Sequence, residues 1–161
     1  MNGQTRMPLD IRPALPVDLP QLLALYRHLD PDDESPPLDL AVQRLNELQA
    51  YRGSAVLIGL IASSVVASCT LVIIPNLTRG GRAYGLIENV VTDVAFRGRG
   101  YGKRILEAAV AGAWQAGCYK VMLMTGSKKP STLAFYTSAG FEQTKTGFQI
   151  RRLPPRAEGA D

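Results

Sequence analysis

The sequence predicts a mixed α/β sheet with helices on both faces. Segments rich in β-branched residues alternate with segments of helical periodicity in the order β, αα, βββ, α, β, α, β, and Gly, Pro, Asn and Asp mark the junctions. A length of 161 residues, 46% of them hydrophobic and 20% charged, suits a single domain spanning 1–161 with flexible ends at 1–7 and 153–161.

Each element has its own signal. Residues 9–14 alternate apolar and polar like a short strand, and Pro16 and Pro20 then open a helix to about His28, with Leu19, Leu22, Leu23 and Tyr26 on one face. A Pro- and Asp-rich loop follows. A second helix to about Tyr51 carries Leu38, Val42, Leu45 and Leu48 at helical spacing, and the helix pair could wall an acceptor pocket. Residues 55–74 read as two buried strands, 76–81 as a loop with paired glycines, and 84–94 as the next strand. The helix expected from Gly100 to Ala116 buries Ile105, Leu106, Ala109, Val110 and Ala113, and Gly117 ends it as a left-handed cap. A strand at 120–125, a helix at 131–139 and closing strands near Phe141 and at 147–151 complete the expectation.

Composition narrows the function. Ser54 to Pro75 contains no charge and is long enough to span hydrocarbon, but its β-branched residues and the break at Ala62-Ser63-Ser64 fit two strands better, so no membrane span is expected. The first eight residues lack the apolar segment of a signal peptide. Cys69 and Cys118, without CxxC spacing, suggest reduced thiols and a cytoplasmic setting. The net charge of +4 gathers in short basic clusters without interleaved aromatics, which fits an anionic small molecule better than nucleic acid. No His, Cys or carboxylate cluster has metal-ligand spacing, and no metal is expected.

The most informative stretch is Val90 to Leu106. An extended segment passes through alternate glycines, Gly98, Gly100 and Gly102, into an amphipathic helix. Glycines let backbone amides approach a ligand closely, and a helix start directs unpaired N–H groups and its positive dipole end at the same point, so a pyrophosphate would sit well there. A Walker loop is excluded because Arg97 stands where its first glycine should be and Arg104 follows Lys103. A Rossmann turn is disfavoured because Gly102 comes only two residues after Gly100.

Arg97-Gly98-Arg99-Gly100-Tyr101-Gly102 resembles the Arg/Gln-x-x-Gly-x-Gly pattern of the GNAT superfamily of acyl-CoA N-acyltransferases. Downstream, Phe135-Tyr136-Thr137-Ser138-Ala139-Gly140-Phe141 is similar to the family's Phe-Tyr-x-x-x-Gly-Phe signature, and residues 84–152 as a whole resemble glucosamine-6-phosphate N-acetyltransferases. The resemblance implies the GNAT fold, a mixed central sheet with a V-shaped splay between two central strands and helices on both faces. It implies acetyl-CoA as cosubstrate. Its pyrophosphate would be held by Arg97, Gly98, Arg99, Gly100, Tyr101, Gly102 and Lys103, and its pantetheine arm by backbone bonds to Val90, Val91 and Thr92 in the splay. It further implies a homodimer assembled through the closing strand at Gln149-Ile150-Arg151.

Acetyl transfer to an amine needs an unprotonated nucleophile and a proton for the departing thiolate. The resemblance puts Tyr136 in the position of that acid; the other reading is an aromatic packed under the last helix. Glu88, a carboxylate in an apolar strand, is either the base that takes the amine's proton or a strand-end partner in a salt bridge. His28, the single histidine, reads as packing or surface. Many relatives carry Asn shortly before the Phe-Tyr pair, whereas residues 125–132 contain none, and the sugar-phosphate enzymes carry Asp where this chain has Asn89. The acceptor is therefore read as a small primary amine, with an amino-sugar phosphate among the candidates. The competing functional class is a non-catalytic acyl-CoA-binding module.

Overall fold

The structure, a computed structural model, describes residues 7–154. Its sheet runs β1 (Asp10–Pro13), β2 (Ala55–Ile61), β3 (Ser64–Ile74), β4 (Tyr84–Thr92) and β5 (Val121–Leu123) in spatial as well as chain order. The first three pairings are antiparallel and β4 to β5 is parallel. A parallel neighbour needs a crossover connection, and the helix α3 (Tyr101–Gln115) supplies it. The uncharged stretch 54–75 forms the β2–β3 hairpin, turned at Ala62 with φ 54. Among the described residues no helix is long and apolar enough to cross a membrane.

Two helical layers sandwich the sheet. On one face α1 (Leu19–Tyr26) and α2 (Leu38–Ala50) bury Leu22, Leu25, Ala41 and Leu45 against Val56, Ile58, Val65 and Val91. On the other, Ile105, Leu106, Ala109 and Ala113 of α3 pack on Cys69, Leu71 and Ile87, joined by Phe135 and Tyr136 of α4 (Pro130–Ser138). Leu38, expected on the inner face of α2, is 51% exposed; Ala41 takes the inward position because Leu38 stands at the helix's first residue.

Local signals set most boundaries. α3 ends in a Schellman arrangement, with Gly117 at φ 79, its N–H donating to the Trp114 carbonyl and that of Cys118 to Ala113. β4 stops at Thr92, short of the expected Val94, because Asp93 caps a 3-10 turn at Val94–Phe96 by accepting from the Ala95 amide at 2.8 Å. The 76–82 loop is knitted by Asn76, whose amide donates to the carbonyls of Thr78 and Arg82.

The closing strands expected near Phe141 and at 147–151 are not formed among the described residues. Phe148 and Ile150 alternate as a strand would, but they are 93% and 100% exposed. A strand is stable only with a paired edge and a face to bury, and β5 is three residues long rather than the six expected.

Candidate active site

The centre of the site is a break in the sheet. β4 pairs with β5 only over Gly85–Ile87, opposite Val121–Leu123, so from Glu88 to Thr92 it keeps a partner on the β3 side alone. At this point β4 also bulges. Thr70 lies opposite Glu88 and Ser68 opposite Val91, which leaves Asn89 and Val90 facing the single residue Cys69. Asn89 takes φ 52, a left-handed conformation that asparagine tolerates better than most residues. The extra residue bends the strand and resets its alternation. Val90 joins the α3 core, while Glu88 and Val91 share the face covered by α1 and α2.

The glycine turn lies directly beyond. Gly98 at φ 73 and Gly100 at φ 79 need the left-handed region, and a Cβ on Gly98 would meet nothing within 4 Å, so this backbone faces open space. The first intrahelical bond of α3 runs from the Arg104 amide to Gly100, which leaves the amides of Tyr101, Gly102 and Lys103 without partners inside the helix. Arg97 donates from Nε to the Thr92 carbonyl at 3.2 Å. Arg99 donates to the Ala95 carbonyl and lies over the Phe96 ring. Both side chains thus brace the turn. Lys103 is exposed at the helix start.

Tyr101 behaves differently from its neighbours. Its ring is 3% exposed, packs beside Leu9 and Ile61, and its hydroxyl donates to the Met7 carbonyl at 3.3 Å. The side chain is an anchor for the start of the helix, while its backbone amide has no partner inside the helix.

Tyr136 is half-buried on α4, its ring 5.0 Å from Phe135 and 6.5 Å from Phe141 between centroids. In the loop before α4, where many relatives have Asn, the Ser127 hydroxyl instead donates to Thr132 Oγ1 and accepts from the Lys129 amide. Glu88 has no ion pair or hydrogen bond among the described residues, which disfavours the strand-end salt bridge. His28 stands 3.9 Å from Asp93, between helix α1 and the turn that leads to the glycines.

Sequence reasoning placed Tyr26 only on the apolar face of α1 and passed over Ser68 and Thr70. Ser68 and Thr70 are buried on the face of β3 that α1 covers, close to Tyr26. Burial pushes the Tyr26 phenol up from its ordinary range, and the hydrogen bonds of Thr70 and Ser68 partly oppose this. The available signal was a tyrosine among leucines and a Ser-x-Thr pair in an apolar strand.

A groove of about 1420 Å³ lies elsewhere. It runs between the C-terminal half of α3 and β1–β3, past Leu57, Leu71, Ala108 and Gly112, and no candidate residue lines it. Small side chains on α3 leave that space unfilled. Where the β4–β5 ladder ends, the edge of β4 beyond Ile87 is unpaired on that side and suited to an extended ligand. No group of three or more His, Cys, Asp or Glu side chains among the described residues could hold a metal ion.

A glycine turn feeding a helix start, beside a strand with one free edge, defines an acyltransferase architecture, and the chain belongs to the acetyltransferase (GNAT) family, whose pattern matches residues 22–141. It is an N-acetyltransferase by class. Among particular relatives, the chain is 36% identical over 137 residues to the glucosamine 6-phosphate N-acetyltransferase of Trypanosoma brucei brucei, covering 83% of this chain and 88% of that one. A putative acetyltransferase from Agrobacterium tumefaciens superposes with a TM-score of 0.83 at 47% identity, covering 89% of this chain and 99% of the other. Glucosamine-6-phosphate N-acetyltransferase from Arabidopsis thaliana, at 22% identity and a TM-score of 0.82 over 90% of this chain and 99% of its own, shares the fold.

Proposed function

We propose that this protein transfers the acetyl group of acetyl-CoA to the primary amine of a small molecule by direct attack within a ternary complex. The observation that carries the reading is continuity: the open amides at the start of α3 lead straight onto the unpaired edge of β4. The pyrophosphate belongs at the amides of residues 98–103, where the helix dipole favours an anion, with Arg97, Arg99 and Lys103 adding positive charge. The pantetheine arm would extend the sheet along Val90, Val91 and Thr92.

The thioester then reaches Glu88 at the start of the unpaired edge. The amine lone pair attacks the carbonyl carbon, the C–S bond breaks, and the sulfur leaves with its bonding electrons. Glu88 takes the amine's proton directly or through water, which its unpaired carboxylate on the α1 face supports. Tyr136, projecting from the other helical layer, protonates the thiolate. A free thiol titrates at ~8.5, so a phenol can supply that proton at small cost.

Relatives named for glucosamine 6-phosphate make an amino-sugar phosphate the first acceptor to test. A homodimer is part of the same reading. The exposed alternation of Phe148 and Ile150, with Gly147 against Met124 just past β5, is suited to strand pairing with a second copy, and sedimentation as a monomer at micromolar concentration would count against it.

The test is calorimetric titration with acetyl-CoA, followed by thiol-release assays on glucosamine 6-phosphate, polyamines and amino acids, with Tyr136→Phe alongside. Binding with turnover, and a kcat lowered by about a hundredfold or more in Tyr136→Phe, is the expected outcome. Binding without turnover on any amine would favour the non-catalytic binding module, and no binding would remove both readings.

A further inference from the structure

His28, the single histidine of the chain, stands where the α1 layer meets the root of the glycine turn. It lies just past the end of α1, its amide donating to the Leu25 carbonyl at 3.0 Å, and belongs to the 27–37 connection that leads to α2. Its Nε2 comes within 3.9 Å of Asp93 Oδ2, with the two side chains 30% and 29% exposed. The other oxygen of Asp93 accepts from the Ala95 amide at 2.8 Å, and the Asp93 amide donates to the Val66 carbonyl of β3 at 2.9 Å. Asp93 therefore holds the base of the 94–96 turn. Arg97 then bonds back to the Thr92 carbonyl, and Gly98 opens the glycine turn.

Charge gives this contact a direction. The 27–37 connection carries Arg27, Asp30, Asp32, Asp33 and Glu34, the turn across from it carries Asp93, Arg97 and Arg99, and β3 has no charged residue. Of these groups Asp93 approaches His28 within ion-pair distance, while Asp30 Oδ1 accepts from the Asp32 amide. A carboxylate at the base of a turn that receives a pyrophosphate repels that ligand, and a proton on the imidazole beside it offsets the repulsion. Histidine as a side chain gains its proton between about pH 8 and pH 5.

We infer that His28 is a positioning residue for the cosubstrate: its protonated imidazole pairs with Asp93 and so holds the turn in place and offsets its negative charge where the pyrophosphate of CoA arrives. The inference rests on the proposed seating of CoA at residues 98–103.

The experiment titrates the untagged full-length protein with CoA by calorimetry between about pH 5.5 and pH 8.5, the range in which a histidine changes charge. The phosphates of CoA also titrate there, but alike for every variant, so each variant is read against wild type at the same pH. Wild type is expected to gain about two- to fivefold more affinity on the acid side than His28→Gln, the scale of a partly exposed ion pair. Asp93→Asn keeps an oxygen for the Ala95 amide and removes the charge, so it should lose the same gain. The double variant should lose no more than either single one. Because the chain has one histidine, its imidazole proton resonance is assigned without ambiguity. By reciprocity, CoA should raise the midpoint of that resonance's titration more in wild type than in Asp93→Asn. A His28→Gln affinity profile that matches wild type, or an imidazole midpoint that Asp93→Asn leaves unchanged, overturns the inference while CoA binding itself stands. No CoA binding by wild type at any pH removes the cosubstrate reading and this inference with it.

Discussion

Gly102 in the first turn of α3 faces Phe135 of α4 so closely that a methyl group on the glycine would lie 3.2 Å from the ring's Cζ and 3.1 Å from Thr92 Oγ1. The glycine turn and the Phe-Tyr segment are thereby parts of one contact. Gly102 is helical in backbone, unlike Gly98 and Gly100, so its missing side chain answers to close approach rather than to φ. The aromatic packs where a Cβ would stand, and Tyr136 is fixed beside it.

Gly102→Ala sets helix propensity against this contact. Alanine would favour the helix by up to about 1 kcal/mol, whereas overpacking a tight site costs about 1–3 kcal/mol. Net destabilisation is expected, with weaker CoA binding as α4 is pushed from α3. Adding Phe135→Leu should restore part of the thermal stability, and a Gly102→Ala protein as stable as wild type would show that the contact is easily relaxed.

Gly98→Ala separates ligand binding from packing. Its Cβ would enter open space, but φ 73 strains an L-residue by about 1–2 kcal/mol. The methyl would also stand on the ligand side of the turn. Titration calorimetry is expected to show CoA affinity falling by more than the melting temperature change accounts for; equal losses in both would assign Gly98 to folding alone.

Asp18 gives the fold a pH dependence of known sign. The Arg12 guanidinium, bonded at 2.7 and 2.9 Å, holds this carboxyl below its ordinary range against the opposing effect of burial, with help from the Leu15 amide. A carboxyl with a depressed folded-state pKa contributes its full stability above the unfolded value of about 3.9 and loses it as pH falls through the folded value. Asp18→Asn should cost about 2 kcal/mol at pH 7, from the loss of charged hydrogen bonds. Melting curves of wild type and variant are expected to converge below about pH 4; a constant gap down to pH 2 would exclude this linkage.

The protein's thiols should be silent in a thiol-release assay. Burial pushes Cys69 up to about 12 and also raises Cys118. Since the thiolate is the reactive form, a disulfide reagent at pH 8 is expected to modify neither within the time of a kinetic run and both after denaturation. Rapid reaction of the native protein would show that the α3 layer opens readily.

Features under short-range control were legible in the chain itself. The left-handed glycines of the turn, the start of α3 beyond them and its Gly117 cap follow from φ freedom and 3.6-residue periodicity, which a few neighbours decide. Glu88 and Tyr136 could be singled out because a carboxylate in an apolar strand and a paired aromatic motif are visible in one dimension. Long-range packing settled the rest. The bulge at Asn89 and the end of the β4–β5 ladder depend on register between strands far apart in sequence, and that register puts Glu88 on the α1 face beside Thr70. Tyr101 turns its ring inward because Leu9 and Ile61 offer it a buried niche, and Tyr26 lies near Ser68 and Thr70 because α1 folds across β3. The closing segment, strand-like in pattern, stayed unpaired because pairing needs an edge and a face to cover it, and sequence periodicity specifies neither.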